Sequence, residues 1–459
     1  MNRRIAPLPL SVLLAALSCC ASDPPGRAQR AREWDDMRST FAFEAEQHAP
    51  SGASAAPDEE LNDLDDLLRF ARAHNPALGS SFERWKDALT KASRAGALPE
   101  PRLTFAAYLS EVETRVGPMQ ARIGLMQPLP WFGELDAAAN AAFEASEAAR
   151  WMLGEARLEL DRKVRDAWYE LAWLERAIEI TAGNRELVAH WESVSRARME
   201  TGQGAHADVL RAQIELGKLD VRVRSLSDLR TPLRAELNAA LGRAAEAPLP
   251  TATLPEVAAT ELDTDDLRDA LLERSPQLSA HRHRIAAAEH ELELANKAFY
   301  PDLSLGLEYT VIGSADAPGV DGSGDDALAL SLGIDLPLRR SAYRAGARGA
   351  EARVRAARLD LASAELDLGA RLQRALYRLR DAERRVELYR DGLVPKGEEA
   401  VRALDVAYQA GDEGFLDLID AQRALLEFQL QAARAQSDRA QALAEIERIT
   451  GLALHTEDL

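Results

Sequence analysis

Residues 408–428, YQAGDEGFLDLIDAQRALLEF, contain a sharp break between two helical patterns. Gly411 interrupts the first pattern, and Asp417 and Asp420 lie at the start of the second. A glycine that ends one helix and carboxylates that open the next are typical of a helix hairpin, because the carboxylates meet the positive end of the helix dipole. We therefore predict a tight helical hairpin that turns at Gly411.

The same pattern occurs earlier in the chain, as residues 199–213, METGQGAHADVLRAQ. Gly202 precedes Asp208 by the spacing that separates Gly411 from Asp417, and an Ala-Gln pair follows in both copies. Equivalent tip positions lie 209 residues apart, as Gly202 and Gly411 do. The chain is therefore a duplication with predicted tips at about 202–208 and about 411–420.

The composition favours long helices and limits the classes of function. Only 5% of the residues are aromatic, and Ala, Leu, Glu and Arg dominate long stretches, as in coiled coils. The formal net charge of −19 argues against a nucleic-acid partner, because the phosphate backbone would repel the chain. The sequence contains no phosphate-binding glycine loop, GxSxG or HExxH motif, and we predict that the protein is not an enzyme.

The N-terminus predicts export and attachment to a membrane. Residues 1–20 combine a basic start, a short apolar run and small residues, which are the features of a secretory signal peptide. Cys19 and Cys20 directly follow the apolar run, and a lipid such as palmitate is expected on Cys20 or Cys19. An ordinary signal peptide with incidental cysteines is the alternative. Residues 21–60 are rich in Pro, Gly, Ser and Ala and are predicted to be a flexible tether.

Each half of the chain contains one pair of stretches with period-two alternation. They lie at about 102–129, with a polar turn at 111–118, and at about 302–337. In the second pair, leucines at 303, 305 and 307 alternate with small or polar residues. This alternation predicts two antiparallel hairpins with one apolar face each.

Heptad patterns follow each strand pair and predict long coiled-coil hairpins. A run of about seventy residues from position 131 corresponds to a helix on the order of 100 Å long. In the second half, Pro395 interrupts the equivalent pattern and is expected to kink or offset the helix. The predicted organisation is a first repeat at 61–247, a proline-rich linker at 248–262 and a second repeat at 263–459.

The fold class that these patterns predict is mainly α with a small β part. Four strands in one chain leave open sheet edges, which a bilayer does not tolerate. Three chains would supply twelve strands, an even number inside the range of outer-membrane barrels. We therefore predict a trimeric α-barrel joined to a 12-stranded transmembrane β-barrel. A soluble β-layer packed on helices is the alternative for the strands.

This order of elements resembles the TolC family of outer-membrane efflux channels. The resemblance also rests on the duplication, on the segment QPLPWFG at 127–133 and on the glycine–aspartate tips, and it extends from about residue 61 to the C-terminus. It implies a passive exit duct of a tripartite efflux or secretion system, lipid-anchored in the bacterial outer membrane and extending into the periplasm. The implied partners are a periplasmic adaptor and an inner-membrane pump of the RND type or another type.

The resemblance also implies a gate at the second tip. In this family a pair of aspartates lines the closed periplasmic entrance, and Asp417 and Asp420 occupy those positions. Their spacing places both carboxylates on one helix face, so that three chains would present two rings. Tyr408 stands at the place of a tip tyrosine, and Asp208 is the candidate in the first tip. Simple stabilisation of the helix N-terminus is the alternative role for the aspartates.

Two further tip features bear on this gate. Arg211 and Arg423 lie one turn after the aspartates and are expected to form ion pairs there. Met199 stands where the second copy has Tyr408, which argues against a symmetric tyrosine latch.

The sequence predicts no metal site and leaves the cargo open. His281 and His283 are two residues apart, a spacing that points them to different faces of a helix. Although QPLPWFG is also similar to the heavy-metal branch of the family, a duct need not bind its cargo, so metal, drug and protein export all remain open. The competing interpretations are a periplasmic coiled-coil adaptor or scaffold and a cytosolic coiled-coil protein. Two helical hairpins and two strand pairs favour the channel.

Overall fold

The computed structural model of the chain describes residues 61–255 and 262–454. The predicted signal peptide, the tether and both candidate lipidated cysteines lie outside these residues. The described part is mainly helical and contains one four-stranded sheet, which confirms the mainly α prediction with a small β part. It divides into two compact units, the first formed by Glu83–Arg150 and Ala280–Ala362 and the second by the other described residues.

Within the described ranges, no helix has the length and apolar character required to cross a bilayer.

The two halves repeat one order of elements. The first half contains α1 (Leu64–His74), α2 (Pro76–Ala95), β1 (Arg102–Thr114), β2 (Gly117–Leu129), α3 (Glu134–Glu200) and α4 (His206–Leu241). The second half contains α5 (Thr264–Arg274), α6 (Pro276–Lys297), β3 (Asp302–Ile312), β4 (Ala327–Asp335), α7 (Arg340–Val386), a π-helical segment (Glu387–Leu393), α8 (Val394–Ala410) and α9 (Phe415–Thr450).

The two strand pairs form a single antiparallel sheet in the order β1-β2-β3-β4. The turn between β1 and β2 is shorter than the polar turn expected at 111–118. Thr114 pairs with Gly117, and the Thr114 hydroxyl donates to the Gly117 carbonyl at 2.6 Å. These bonds extend both strands into residues whose polarity had suggested a loop.

The sheet has one apolar and one polar face. Its register aligns a row of four leucines across the strands, Leu103, Leu125, Leu307 and Leu330. A second apolar row contains Phe105, Ile123, Tyr309 and Leu328. The row between them carries small or polar residues, Thr104, Gly124, Glu308 and Ala329. On that face the Arg122 guanidinium lies 3.2 Å from the Glu308 carboxylate.

The apolar face of the sheet is exposed in the single chain. Leu103 and Phe105 on β1 and Leu328 and Leu330 on β4 all keep most of their surface accessible. A soluble β-layer packed on helices would bury this face. The exposure therefore disagrees with that alternative.

In the second unit, α3, α4, α8 and α9 pack around one apolar core that supports the tips. Trp191 on α3 is fully buried in this core. Its other buried members are Ala177, Val188, Ala212, Leu219, Val401, Tyr408, Phe415, Leu418, Ile419, Leu425, Leu426 and Leu430. Because residues from both repeats share this core, the two hairpins of one chain pack as one body near their tips.

The helix before the second tip contains a π-helical segment in place of a simple kink at Pro395. The Val394 N–H donates to the Tyr389 carbonyl, five residues earlier, and Pro395 follows directly. A proline has no N–H and its ring displaces the preceding turn, so the chain widens there by one residue. The equivalent position in the first repeat is Glu186, inside the regular helix α3.

Candidate functional site

At both tips, a glycine in the left-handed region lies just after the end of the first helix, near the start of a short turn. α3 ends at Glu200 and α8 at Ala410, and Gly202 and Gly411 have φ values of 73° and 89°. The Gly411 N–H donates to the Ala407 carbonyl at 3.0 Å and to the Tyr408 carbonyl at 3.1 Å. A side chain at either position would be strained, because L residues with a Cβ rarely adopt this conformation.

The candidate gate aspartates lie at the start of the returning helices. Asp417 and Asp420 are exposed on α9, and Asp208 is half-buried on α4. The N-cap positions are Ala205 and Gly414, which provide no side-chain cap. Asp208 and Asp417 therefore lie in the first helical turn, where they meet the helix dipole without being the capping residues.

Arginines one turn later pair with two of these aspartates. Arg211 lies 3.3 Å from Asp208, and Arg423 lies 3.1 Å from Asp420. Such exposed pairs are individually weak. Asp417 makes no side-chain hydrogen bond or ion pair with the residues that the structure describes. Its carboxylate is therefore exposed and unpaired among these residues.

Arg423 also joins the two repeats. Its Nη2 donates to Glu215 Oε2 on α4 at 2.6 Å, and its Nε donates to the same oxygen at 3.1 Å. Glu215 is almost fully buried. Burial alone would raise the pKa of this carboxyl, but the hydrogen bonds and charge of Arg423, with help from Lys218, lower it. Glu215 was not predicted from the sequence.

Tyr408 is buried inside the chain, at the contact between the two hairpins. Its side chain is only 4% exposed, and its hydroxyl lies 2.8 Å from Ser195 Oγ on α3. The Arg198 guanidinium lies over the Tyr408 ring at 5.0 Å, and the Phe415 ring lies 5.3 Å away. A cation above an aromatic ring and a buried hydrogen bond both stabilise this contact.

Arg198 adds main-chain contacts to the same place. Its Nη1 donates to the Tyr408 carbonyl and, at 2.9 Å, to the Gln409 carbonyl, while Nη2 is 3.4 Å from the Gln203 carbonyl. The last carbonyls of a helix have no partner within the helix, and Arg198 donates to two of those of α8. We call Ser195, Arg198 and Tyr408 the tip latch.

The tip latch is asymmetric between the repeats. Ser195 and Arg198 correspond, 209 residues later, to Leu404 and Ala407, and Tyr408 corresponds to Met199. Neither Ser195 nor Arg198 was predicted from the sequence. Comparison of the two copies provides the signal that finds them, since each is polar in one copy and apolar in the other.

The two Ala-Gln pairs have different surroundings. Gln422 is buried, and its side-chain amide donates to Asn184 Oδ1, while Asn184 Nδ2 donates to Gln429 Oε1 at 3.0 Å. Gln213 is exposed and donates to Glu192 Oε1 at 2.9 Å. Gln213 and Gln422 therefore make different contacts, although they occupy equivalent positions in the two repeats.

Among the described residues, no group of three or more His, Cys, Asp or Glu side chains is arranged to hold a metal ion. His283 Nδ1 lies 2.6 Å from the Glu144 carboxylate, and burial lowers the pKa of His281. His206 Nδ1 lies 3.3 Å from Met199 Sδ at the first tip.

The second unit also contains a cavity of about 750 Å³ with an acidic wall. Asp166 lines it and pairs with Arg162. Burial raises the pKa of Asp166 to about 6, and Glu445, Glu159 and Glu170 act in the same direction while Arg162 opposes them. The Asp166 carboxyl therefore changes its charge near pH 6. No local sequence pattern marks Asp166 as a titratable group.

Comparison with known proteins gives consistent relatives over most of the chain. The family model described as "Outer membrane efflux protein" matches residues 67–243 and 267–452. The pyoverdine export outer membrane protein OpmQ of Pseudomonas putida is 25% identical in an alignment of 480 residues. This alignment covers 98% of this chain and 97% of that protein.

The cobalt-zinc-cadmium resistance protein CzcC of Cupriavidus metallidurans is 22% identical over 84% of this chain and 90% of its own. The crystal structure of the outer membrane protein VceC of Vibrio cholerae aligns with a TM-score of 0.70 and 21% identity, covering 84% of this chain and 96% of that chain. At that identity, the alignment shows a shared fold.

Proposed function

Since this chain belongs to the outer membrane efflux protein family, we propose that it is the exit duct of a tripartite export system, closed at rest by its helical tips. The chain is an outer-membrane efflux channel, and the adaptor alternative fits less well because the family match covers both repeats. The proposal adds an assembly, a gate and partners. The observation that best supports this proposal is the structure of the tips, where exposed aspartates lie on α9 and the tip latch joins the two hairpins.

The proposed assembly is a homotrimer with a 12-stranded β-barrel and an α-barrel. Support comes from the sheet, whose apolar face is exposed. Its edge strands, β1 and β4, each have one side without a paired strand among the residues that the structure describes. Pairing β1 of one chain with β4 of the next would close those edges in three copies. The polar row with the Arg122–Glu308 pair would then line the interior.

The helices also present apolar surface that a second copy would cover. Leu210, Ile214 and Val221 are exposed along α4. Leu366 and Tyr377 are exposed on α7. Exposed apolar side chains at helical spacing are typical of helix–helix contacts between subunits. We propose that the two repeats, at 61–247 and 263–459 with a linker at 248–262, alternate around the trimer.

The proposed gate is formed by Asp417 and Asp420, with Asp208 in the first tip as a weaker candidate. Three chains would place two rings of carboxylates at the entrance, and such rings attract cations. The tip latch would hold the second hairpin against the first. Binding of a periplasmic adaptor would release the second hairpin, and the rings would separate.

The proposed partners are a periplasmic adaptor and an inner-membrane pump, of the RND type or another, that supplies the energy. The channel itself would do no chemistry and hold no cofactor except a lipid on Cys20 or Cys19. The names of the relatives differ: OpmQ is named for pyoverdine export and CzcC for cobalt-zinc-cadmium resistance. The class of cargo is therefore left open.

The test is the single-channel conductance of the purified mature protein in a planar bilayer, with its mass measured in detergent. We expect a trimer with small openings that prefer cations. Replacing Asp417 and Asp420 by Asn should weaken the cation preference, by about thirtyfold if each of the two rings contributes about 1 kcal/mol. Asp367→Asn, which removes an exposed carboxylate elsewhere on α7, is the matched control. A monomer that never inserts would remove the channel proposal, and an unchanged preference in the double variant would remove the gate.

A further inference from the structure

All four strands meet their neighbouring helices at one edge of the sheet, which we call the helix-side edge. Leu129, Leu303 and Ile334 form the last apolar row there. Beyond this row, β2 continues into residues 130–133, β4 continues into residues 336–340, and residues 299–301 lead into β3. These three short segments share one end of the sheet.

Two of these segments occupy equivalent places in the repeats. Residues 129–133 read LPWFG and begin at the last residue of β2, whereas residues 336–340 read LPLRR and follow β4. Both begin with Leu-Pro at the end of the second strand of their repeat. The first copy then has an aromatic pair, and the second copy has an arginine pair.

The aromatic segment has a fixed geometry. The Trp131 N–H donates to Asp302 Oδ1 at 2.9 Å, which anchors the main chain to the start of β3. The Trp131 ring stacks on the Tyr300 ring, with centroids 5.3 Å apart and an interplanar angle of 7°. The Phe132 ring meets Trp131 edge-on at 5.6 Å and is 74% exposed. These rings are therefore held in place but are not buried in a core.

The basic segment is exposed and has free cations. Leu338 is 81% exposed, and Arg339 and Arg340 are exposed beside it. Neither guanidinium makes an ion pair or hydrogen bond with the parts of the chain that the structure describes. Since only β3 separates β2 from β4, the ends of these strands lie about 10 Å apart.

We propose that the helix-side edge binds phospholipid headgroups, with Trp131, Phe132 and Tyr300 among the headgroups and Arg339 and Arg340 on the phosphates. This inference rests on the proposed membrane-facing role of the apolar sheet face. The edge continues that face directly, through the row at Leu129 and Leu303. Trp and Tyr favour the boundary between hydrocarbon and water, because each has an apolar ring and a polar group.

The arginine pair gives the site its charge preference. A guanidinium donates two parallel hydrogen bonds to a phosphate, and no described acidic side chain competes for either cation. Anionic phospholipids should therefore be favoured over zwitterionic ones at this edge. The two repeats would have different roles. The aromatic segment of the first repeat would fix the depth of the protein in the bilayer, and the basic segment of the second repeat would select the lipid headgroup.

The test uses the full mature chain in phospholipid vesicles that carry bromine, a fluorescence quencher, at a known depth. The signal lost in Trp131→Phe isolates the emission of Trp131. We expect this part to be quenched about twofold more by lipids brominated near the headgroup than by lipids brominated near the chain end. Trp151→Phe, on α3 in the second unit, is the control and should not change the quenching by either lipid. Phe132→Trp adds an indole at an exposed position and should gain the same depth profile, which covers a failure of Trp131→Phe to fold.

A second arm tests the arginines. Brominated phosphatidylglycerol should quench Trp131 more strongly than brominated phosphatidylcholine in mixed vesicles. Arg339→Gln combined with Arg340→Gln should abolish this difference and leave the depth profile unchanged. Equal quenching by both lipids in the unmodified protein would overturn the arginine part.

Resistance to carbonate extraction separates this inference from the proposed function. If the protein stays in the vesicles but Trp131 is quenched only by aqueous iodide, the lipid site is wrong and the channel stands. If Trp131 is protected from iodide and from bromine, another protein surface covers it, and the lipid site is again wrong. If carbonate removes the protein, the membrane-facing sheet fails and the inference fails with it.

Discussion

At the scale of single residues, the tip latch shows how one arginine can couple two helical hairpins. Arg198 contacts the Tyr408 ring and the last carbonyls of α8, while Ser195 accepts or donates at the Tyr408 hydroxyl. These contacts join residues that are more than 200 positions apart in the chain. Opening of the second hairpin alone must break all of them together.

Removing the Tyr408 hydroxyl should therefore make the resting channel open more often. Tyr408→Phe keeps the ring on Phe415 and leaves Ser195 Oγ without its partner, a change worth about 1 kcal/mol or about fivefold in open probability. Arg198→Met should have a larger effect, about 1.5–3 kcal/mol for hydrogen bonds from a charged group. Single-channel recording measures both.

A double-mutant cycle provides the control for the latch. In a Ser195→Ala background, Tyr408→Phe should have almost no further effect, because the two groups bond to each other. Strictly additive changes would show that the hydroxyls act independently and would contradict the latch.

Asp166 predicts a pH dependence of stability. Burial raises its pKa in the folded protein to about 6, above the usual value in an unfolded chain. The folded state therefore binds the proton more tightly. The charged group destabilises the protein fully above about pH 6, and this destabilisation is lost as the pH falls from about 6 towards about 4. Asp166→Asn should raise the thermal midpoint at about pH 8 and raise it less at about pH 5.

We expect a gain of about 1 kcal/mol at the higher pH, less than the full shift implies, because the variant loses the Arg162 ion pair and the side chain keeps some contact with water. Differential scanning calorimetry in detergent at both pH values measures it. Asp228→Asn, on α4 and not among the residues lining the cavity, is the control. An equal gain at both pH values would mean that the charge of Asp166 is not its cause.

At the scale of elements, the repeats differ most in the helix that leads to each tip. The first repeat has one regular helix, α3, whereas the second has α7, a π-helical segment and α8. The π-helical segment contains no buried residue, and no described side chain lies against Gly392 within it. A widened, exposed turn has weaker main-chain bonds than a regular helix, which makes it the most deformable part of this stretch.

Pro395→Ala should stiffen this part of the chain. The substitution restores a main-chain N–H and removes the ring that displaces the preceding turn. We expect amide hydrogen exchange near residues 387–398 to slow by about tenfold, equivalent to about 1.4 kcal/mol, and the channel to open less often. Glu186→Ala, at the equivalent position of α3, should change neither. Faster exchange in Pro395→Ala would contradict the role given to the proline.

At the scale of the whole molecule, the exposed apolar surfaces support the proposed assembly of several chains. The apolar sheet face and the side chains along α4 remain accessible in the single chain. Single exposed leucines are normal on a protein surface, but both of these apolar surfaces are formed by several neighbouring side chains. Assembly with further copies would cover the α4 side chains, and lipid would cover the sheet face.

A charge on the α4 surface should therefore prevent assembly. Ile214 is 59% exposed in the single chain, and Ile214→Asp would place a carboxylate between subunits without a partner, at a cost of several kcal/mol per site. Light scattering in detergent should then give the mass of one chain in place of three. Ile214→Val keeps the apolar surface and should remain trimeric. A trimeric Ile214→Asp protein would place the subunit contact elsewhere.

The sequence by itself determined the elements and their duplication. Strand faces follow from a period of two and helices from a heptad period, and these patterns depend on residues close together in the chain. Gly202 and Gly411 were found for the same reason, since a turn after a helix has a local chemical signature. The fold class and the position of Asp417 and Asp420 at a helix start needed no tertiary information.

Only the tertiary structure decided which residues meet across the repeats. Ser195, Arg198 and Glu215 have no special local pattern, yet they contact Tyr408 and Arg423 on the other hairpin. The raised pKa of Asp166 likewise depends on burial by distant helices. Periodicity reports which face of a helix is apolar but not which partner covers it, because that choice is made by packing between distant segments.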